Sequence, residues 1–240
     1  MPVHVYGYIC DVDTIELIAK KHGLKVIYDA AHAFGEKYKG IGIGNYGDAS
    51  CFSFHATKVF NSIEGGASCF RDKELGKKIY DLNNFGIHGL NNVFGIGANA
   101  KMNEFCAAMG ICNLRHINEE ISKRRNSYNK YMDLLSDRPG ITVPFIQKDV
   151  TPNYSYYPIL IDEKVYKKTR DEIYDNLISN DIYARKYFYP LTSDFECYKS
   201  IYNSSETPIA KWVSDRILTL PLYAGLDDLT IKRISEIILE

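Results

Sequence analysis

The run from Asp13 to Asp29 constrains the fold more than any other part of the sequence. Asp13-Thr14-Ile15-Glu16 has the character of a helix-opening capping box, apolar Ile15, Ile18 and Ala19 follow at helical spacing, and Gly23 is a helix stop. Lys25-Val26-Ile27-Tyr28-Asp29 then reads as a short buried strand ending in a carboxylate. Ahead of the helix, Val3-His4-Val5-Tyr6 alternates like a strand. The opening of the chain is therefore β-α-β, the unit from which parallel sheets are built.

Composition fits that reading. Of 240 residues, 45% are hydrophobic and 25% charged, which excludes a disordered chain, a collagen-like repeat and a coiled-coil rod. The net charge of −1 argues against a strongly basic nucleic-acid binder. No apolar run is long enough for a transmembrane helix, and Met1 to Tyr8 lacks the pattern of a signal peptide. No nucleic-acid or membrane partner is expected. The six cysteines form no CxxC pair and no metal-ligand spacing, so no metal is expected. Their mostly apolar neighbours suggest reduced, buried thiols in a cytoplasmic protein.

Farther along, four glycines and an Asn mark Gly40 to Gly47 as loop. Ala49 to Phe54 reads as a strand, Gly65-Gly66 as a turn, Ala67 to Phe70 as a strand and Arg71 to Asn83 as a helix. Asn84 to Ala100 has four glycines and no period, and is read as an irregular excursion. Helical periodicity runs from Asn103 to Leu135 and ends before Pro139-Gly140. The remainder reads as strand (Tyr154 to Ile161), helix (Thr169 to Asn180), strand (Tyr183 to Tyr189) and helices Pro208 to Ile217 and Asp228 to Leu239. The expected domains are 1–136, including the long helix, and 137–240.

Four features could carry chemistry. Asp29 sits at the carboxyl end of a buried strand, where open α/β sheets bind ligands; the alternative is an Asp that caps the next turn. Lys58 follows a strand amid Ser53, His55 and Thr57, and desolvation there would make it a better amine nucleophile; a lone lysine is otherwise a surface residue. The polar segment Gly97 to Glu104 opens a helix, whose N–H groups attract phosphate, although Asn103 also suits a plain N-cap. Tyr187-Phe188-Tyr189-Pro190 either stacks a ring or fills a core.

Pro2-Val3-His4-Val5-Tyr6-Gly7, Asp29-Ala30-Ala31-His32-Ala33, Ser53-Phe54-His55-Ala56-Thr57-Lys58, Glu64-Gly65-Gly66-Ala67 and Lys101 to Ala108, with Leu218 to Tyr223 near the end, occur in this order. Together they resemble the DegT/DnrJ/EryC1/StrS family of pyridoxal-phosphate-dependent nucleotide-sugar aminotransferases. The resemblance implies an α/β, fold-type I architecture: a mainly parallel sheet flanked by helices, plus a smaller α+β C-terminal domain. It implies pyridoxal 5′-phosphate (PLP) as cofactor, held as a Schiff base on Lys58, which also moves the proton. By the same resemblance Asp29 pairs with the pyridine nitrogen, His32 lies near the ring and its 3-hydroxyl, Ser53 bonds the phosphate, and Asn99 reaches a neighbour's phosphate across a homodimer interface. His55 and Tyr187 are candidate substrate contacts. Related sugar dehydratases carry His where this chain has Lys58, so transamination is the implied chemistry.

The implied reaction moves an amino group from L-glutamate to a keto-sugar nucleotide. The wording of the motifs is nearest to members that form dTDP-4-amino-4,6-dideoxyglucose from dTDP-4-keto-6-deoxyglucose. A GDP- or UDP-linked substrate is the alternative, as is an inactive remnant that acts as a binding or subunit fragment. Family members carry a section ahead of the Pro-Val-His strand with a phosphate-cradling loop and a stacking aromatic. The sequence is therefore read as truncated, with an exposed first strand and weak cofactor binding when alone. Leu191-Thr192 follows Pro190 where the family often has His, which leaves the sugar nucleotide open.

Overall fold

Asp11, two residues ahead of the predicted capping box, opens the first helix. Its side chain accepts the Thr14 N–H, and α1 (Val12–His22) ends at Gly23, whose φ of 63° closes the last turn. Lys20, Lys21 and His22 sit in that turn, where the helix dipole favours positive charge. The structure, a computed structural model, describes residues 1–240. They form two compact units, Met1–Glu120 with Ile146–Ser155, and Ile121–Phe145 with Tyr156–Glu240.

In the first unit β1 (Ile27–Asp29) and β4 (Ala49–Ser53) pair in parallel, with Asp29 opposite Cys51. The third strand, β5 (Gly66–Phe70), runs antiparallel to β4, so the sheet is mixed. A second small sheet joins β2 (Lys37–Tyr38), β3 (Ile41–Gly42) and β9 (Val150–Thr151), which brings residues 146–155 back to this unit. Helix α1 packs on a core of Ile9, Val12, Ala19, Val26, Tyr28, Ala30, Ala33 and Ile43. Each large apolar side chain fully buried there contributes roughly 1.5–3 kcal/mol. Also in this unit are α2 (Lys73–Asn83), the two-residue strands β6 (Ile87–His88) and β7 (Asn92–Val93), and α3 (Glu104–Leu114). Helix α4 (Ile117–Leu135) starts here and continues in the second unit.

The second unit is built on an antiparallel sheet, β8 (Ile141–Thr142), β10 (Tyr157–Ile161) and β11 (Ile217–Leu220), in the order β11-β10-β8. Around it are α5 (Glu163–Tyr166), α6 (Arg170–Ser179), α7 (Pro208–Ser214) and α8 (Asp228–Leu239). Thr169 and Glu172 form a reciprocal capping box on α6. Tyr131, Leu135, Ile159, Leu177, Leu218, Ile231 and Ile238 are completely buried. Arg170 is buried with them; its Nη1 donates to Ser214 O and Ile217 O, both at 3.1 Å. Arg170→Ala orphans two buried carbonyls, so urea unfolding should show this unit destabilised by about 2–3 kcal/mol. A loss below 0.5 kcal/mol would mean that water replaces the guanidinium.

Several expectations change. Val3 makes only one parallel bridge, to Asp29, and a tight turn follows because the Tyr6 N–H is taken by His32. Asn103 to Leu135 is two helices, broken at Arg115 and His116. Tyr183 to Tyr189 is not a strand: Arg185 bridges Thr219, then the Tyr187 N–H turns back to Arg185 O. Ile217–Leu220, read as a helix end and tail, is a central ladder of the second unit. The excursion 84–100 closes on itself, with Asn84 bridging Asn99 and Gly86 so close to Gly95 O that a Cβ would stand 1.9 Å away. All six cysteines are free, but only Cys106 is buried; Cys10 is half-buried and the other four lie on exposed surface. No helix is long and apolar enough to cross a membrane, and no cluster of His, Cys, Asp or Glu is arranged to hold a metal.

Candidate active site

Asp29 ends β1, and the main chain grips it from both sides. Its N–H donates to Pro2 O at 2.9 Å, its carbonyl accepts the His4 N–H at 2.9 Å, and the Ala30 N–H reaches Cys51 O on β4 at 2.8 Å. Oδ1 accepts the Ala31 N–H at 3.0 Å, so Asp29 does cap the next turn. That single bond leaves Oδ2 for another donor.

His32 follows on the same loop and is 8% exposed. Its Nδ1 accepts the Tyr6 N–H at 3.0 Å, which places the ring proton on Nε2. The Tyr6 ring lies nearly parallel to it, with centroids 6.5 Å apart. Burial lowers the His32 pKa to about 4; the Lys58 charge pushes it further down and the Asp29 charge opposes. The imidazole thus feels both of the charged groups that the sequence singled out.

Lys58 is half-buried on the connection between β4 and β5. This connection is closed at its base, where the Phe54 N–H donates to Gly65 O at 2.8 Å and the Ser62 N–H to Phe54 O at 2.9 Å. The Lys58 N–H itself donates to His55 O at 2.9 Å. Four phenylalanines fix this loop against the His32 loop. Phe34 stacks on Phe60 at 4.3 Å and meets Phe52 and Phe54 edge-on, at 6.3 and 5.5 Å. Such aromatic pairs each add about 0.5–1.5 kcal/mol beyond area burial. Ser53 is half-buried at the end of β4, with its Oγ 3.4 Å from the His55 N–H.

Three further residues were expected at the site, His55, Asn99 and Tyr187. His55 is exposed and held in its own loop, its Nδ1 3.0 Å from Thr57 Oγ1 and its Nε2 3.7 Å from the Glu64 carboxylate. Asn99 is exposed on the 84–100 excursion, where its Oδ1 accepts Lys101 Nζ at 3.0 Å. Tyr187 belongs to the second unit and packs on Phe188 and Tyr156.

Sequence reasoning missed the residues beneath the His32 loop. Asn153 is 1% exposed; its Nδ2 donates to His32 O at 2.8 Å and Phe34 O at 2.9 Å. Ser155 Oγ donates to the same His32 carbonyl at 2.8 Å. His4 is fully buried, stacks on Tyr28 at 4.8 Å and is lowered to about 4 by burial. The one local signal was Pro2-Val3-His4-Val5-Tyr6-Gly7, noted as a motif without a role.

The lowered His32 pKa has a testable consequence. A folded pKa below the unfolded value of 6.5 means stability that is present above pH 6.5 and lost as pH falls toward 4. A His32→Gln variant keeps an acceptor for the Tyr6 N–H but cannot ionise. Between pH 7 and pH 4 it should lose less stability than wild type, by up to about 3 kcal/mol. Equal losses in urea titrations at the two pH values would show that His32 does not titrate in this window.

The profile of the DegT/DnrJ/EryC1/StrS aminotransferase family matches residues 1–239. The chain belongs to that family. Among its relatives, a dTDP-4-amino-4,6-dideoxy-D-glucose transaminase of Shigella dysenteriae is 41% identical over 226 residues, covering 94% of this chain and 61% of the relative. One of the same name from Escherichia coli is 40% identical over 244 residues, covering 100% and 65%. Among solved structures, DesI with its TDP-sugar product superposes with a TM-score of 0.92 at 34% identity, over 99% of this chain and 60% of that one. PseC of Helicobacter pylori gives 0.91 at 27% identity, over 99% and 64%. These neighbours bear out the expected α/β fold class. The chain spans about 61–65% of the length of the two transaminases.

Proposed function

We propose that this chain carries the catalytic lysine of an aminotransferase that transfers an amino group from L-glutamate to a keto-sugar nucleotide, dTDP-4-keto-6-deoxyglucose. The product is dTDP-4-amino-4,6-dideoxyglucose. The observation that carries the proposal is the arrangement of Asp29, His32 and Lys58 in one unit: Asp29 ends β1, His32 follows it, and Lys58 lies on the connection that leaves β4, the strand paired with β1. The 40–41% identity to two transaminases named for that product supports the choice of sugar. Relatives named GDP-perosamine synthase, such as that of Vibrio cholerae at 29%, keep a GDP-linked substrate as a second reading.

The donor set fits PLP. A carboxylate with an uncommitted oxygen suits a pyridine N–H, a half-buried amine suits an aldehyde carbon, and a hydroxyl at a strand end suits a phosphate. When bound, PLP supplies an electron sink for the charge left on carbon when a proton is removed. Lys58 would hold the cofactor through its Nζ, and the same amine would accept and return a proton. Asp29 keeps a proton at the pyridine nitrogen. His32, neutral and clamped by Tyr6, packs beside the ring. Ser53 Oγ donates to the phosphate. Asn99 reaches the phosphate site of a second copy, making the whole protein a two-fold homodimer. His55 is the candidate substrate contact in this unit.

The test is incubation of the protein with L-glutamate and a panel of dTDP-, GDP- and UDP-linked keto sugars. Amination of the dTDP-linked 4-keto sugar is the expected result. Turnover of the GDP- or UDP-linked sugars alone moves the reading to the alternative substrate, and no turnover on any of them overturns it.

A further inference from the structure

Glu36 lies at the end of the loop that carries Asp29 and His32, and it is 2% exposed. One carboxylate oxygen, Oε1, accepts the Asn153 N–H at 3.1 Å. The other, Oε2, is buried without a hydrogen-bond partner. The bonded asparagine is the one whose side chain ties down His32 O and Phe34 O. Its Oδ1 in turn accepts the Ser155 N–H at 2.9 Å. Gly7, at φ 91°, also lies against the carboxyl group; a Cβ there would stand 2.6 Å from Oε1. The glycine that ends the Val5–Gly7 turn therefore makes room for Glu36, and the same turn donates the Tyr6 N–H to His32. Loop, turn and return segment all converge on one acidic side chain that the proposed chemistry does not use.

We propose that Glu36 is a positioning residue for the cofactor loop, acting through Asn153 to hold His32 and Phe34 in place. The proposal rests on the aminotransferase reading for the identity of the loop, but not for its mechanics. A carboxyl group held by one N–H and facing no cation is poorly solvated as an anion. Burial pushes its pKa up to about 8, with the Asn153 N–H opposing, and no charged side chain acts on it. The titratable groups on the packed elements are His4 and His32, both lowered to about 4 and neutral, with Asp29 at the start of the loop. From the return segment come Lys148 and Asp149, and from the loop's far end Lys37; none of them shifts Glu36. Below pH 8 Glu36 is uncharged and the clamp is quiet. Its folded pKa lies above the unfolded 4.5, so its contribution is complete below pH 4.5 and is lost as pH rises through about 8.

The test compares wild type, Glu36→Gln and Glu36→Ala in the whole protein. The amide of Gln keeps the acceptor for Asn153 and stays neutral at every pH. Urea unfolding from pH 5 to pH 9 should show the wild-type unfolding constant rising relative to that of Glu36→Gln, by up to about a thousandfold. Hydrogen exchange of the amides from Ala31 to Glu36 should be unchanged in Glu36→Gln below pH 7. Glu36→Ala should speed it at least about tenfold, because a buried Asn153 N–H loses its acceptor. Parallel pH curves for wild type and Glu36→Gln overturn the proposal, as does normal protection in a folded Glu36→Ala. Should Glu36→Ala not fold, the Gln comparison still decides. Neither readout needs the cofactor. Diverging pH curves without any lysine labelled by borohydride in the presence of PLP would sink the aminotransferase reading and leave the clamp standing.

Discussion

Lys58→Ala should abolish covalent attachment of PLP and reduce transamination about 10⁴-fold or more, while leaving the fold intact. General acid–base catalysis alone contributes about 10²–10⁴-fold, and in this reading the same amine is also the covalent anchor. The side chain is half-buried on the connection between β4 and β5, outside the residues that form either core. What shapes the loop is the Phe34, Phe52, Phe54 and Phe60 cluster and the Phe54–Gly65 main-chain bond, and the substitution touches neither. Burial is the main cause of the lowered His32 pKa; removing the ammonium takes away the one charge that adds to it, so the His32 pKa should rise in the variant. Borohydride reduction followed by peptide mapping checks the attachment. Label on any lysine other than Lys58 in the wild type refutes the assignment. An NMR titration of His32 that does not move in the variant would place Lys58 outside the cluster.

Asp29→Asn should lower turnover by roughly 10²–10⁴-fold with little loss of stability. The asparagine Oδ1 still accepts the Ala31 N–H that the aspartate accepts at 3.0 Å, so the turn after β1 survives. What disappears is the negative charge that, in the proposed role, would face the pyridine nitrogen. Each pKa unit lost at that nitrogen weakens the electron sink by about 1.4 kcal/mol, or tenfold, if fully expressed in the transition state. The main-chain bonds that hold Asp29 to Pro2, His4 and Cys51 are unaffected. Rates of transamination measured beside thermal melting separate the two roles. Wild-type turnover would reduce Asp29 to a turn-capping residue, the alternative that its position always allowed.

What the sequence determined by itself was local. Helix α1 was legible from spacing and a terminal glycine, β4 from a short, mostly apolar segment, and the last helix from its periodicity. Asp29 and Lys58 stood out as candidates because one ends a strand and the other lies in a dense motif, whereas His32 and Ser53 were given roles only through the family resemblance. The pairing of His32 with the charges of Asp29 and Lys58 was not legible, because it depends on β1 and β4 lying side by side. Ile217 was taken for a helix end and Leu218–Leu220 for part of a tail, since so short a stretch has no period until a partner strand gives it one. Tyr183 to Tyr189 looked like a strand and makes only one bridge, because the Tyr187 N–H turns back on Arg185. The cysteines looked buried from their apolar neighbours, yet burial is decided by what packs on a face, and β5 is exposed along its length. In the sequence Glu36 is one charged residue beside Lys37. Only the tertiary structure, by returning Asn153 from 117 residues downstream and seating Gly7 against it, made it a buried acid under the loop of His32. Local propensities are set within a few residues, whereas desolvation and hydrogen-bond satisfaction are set by whichever segment the chain folds back to provide.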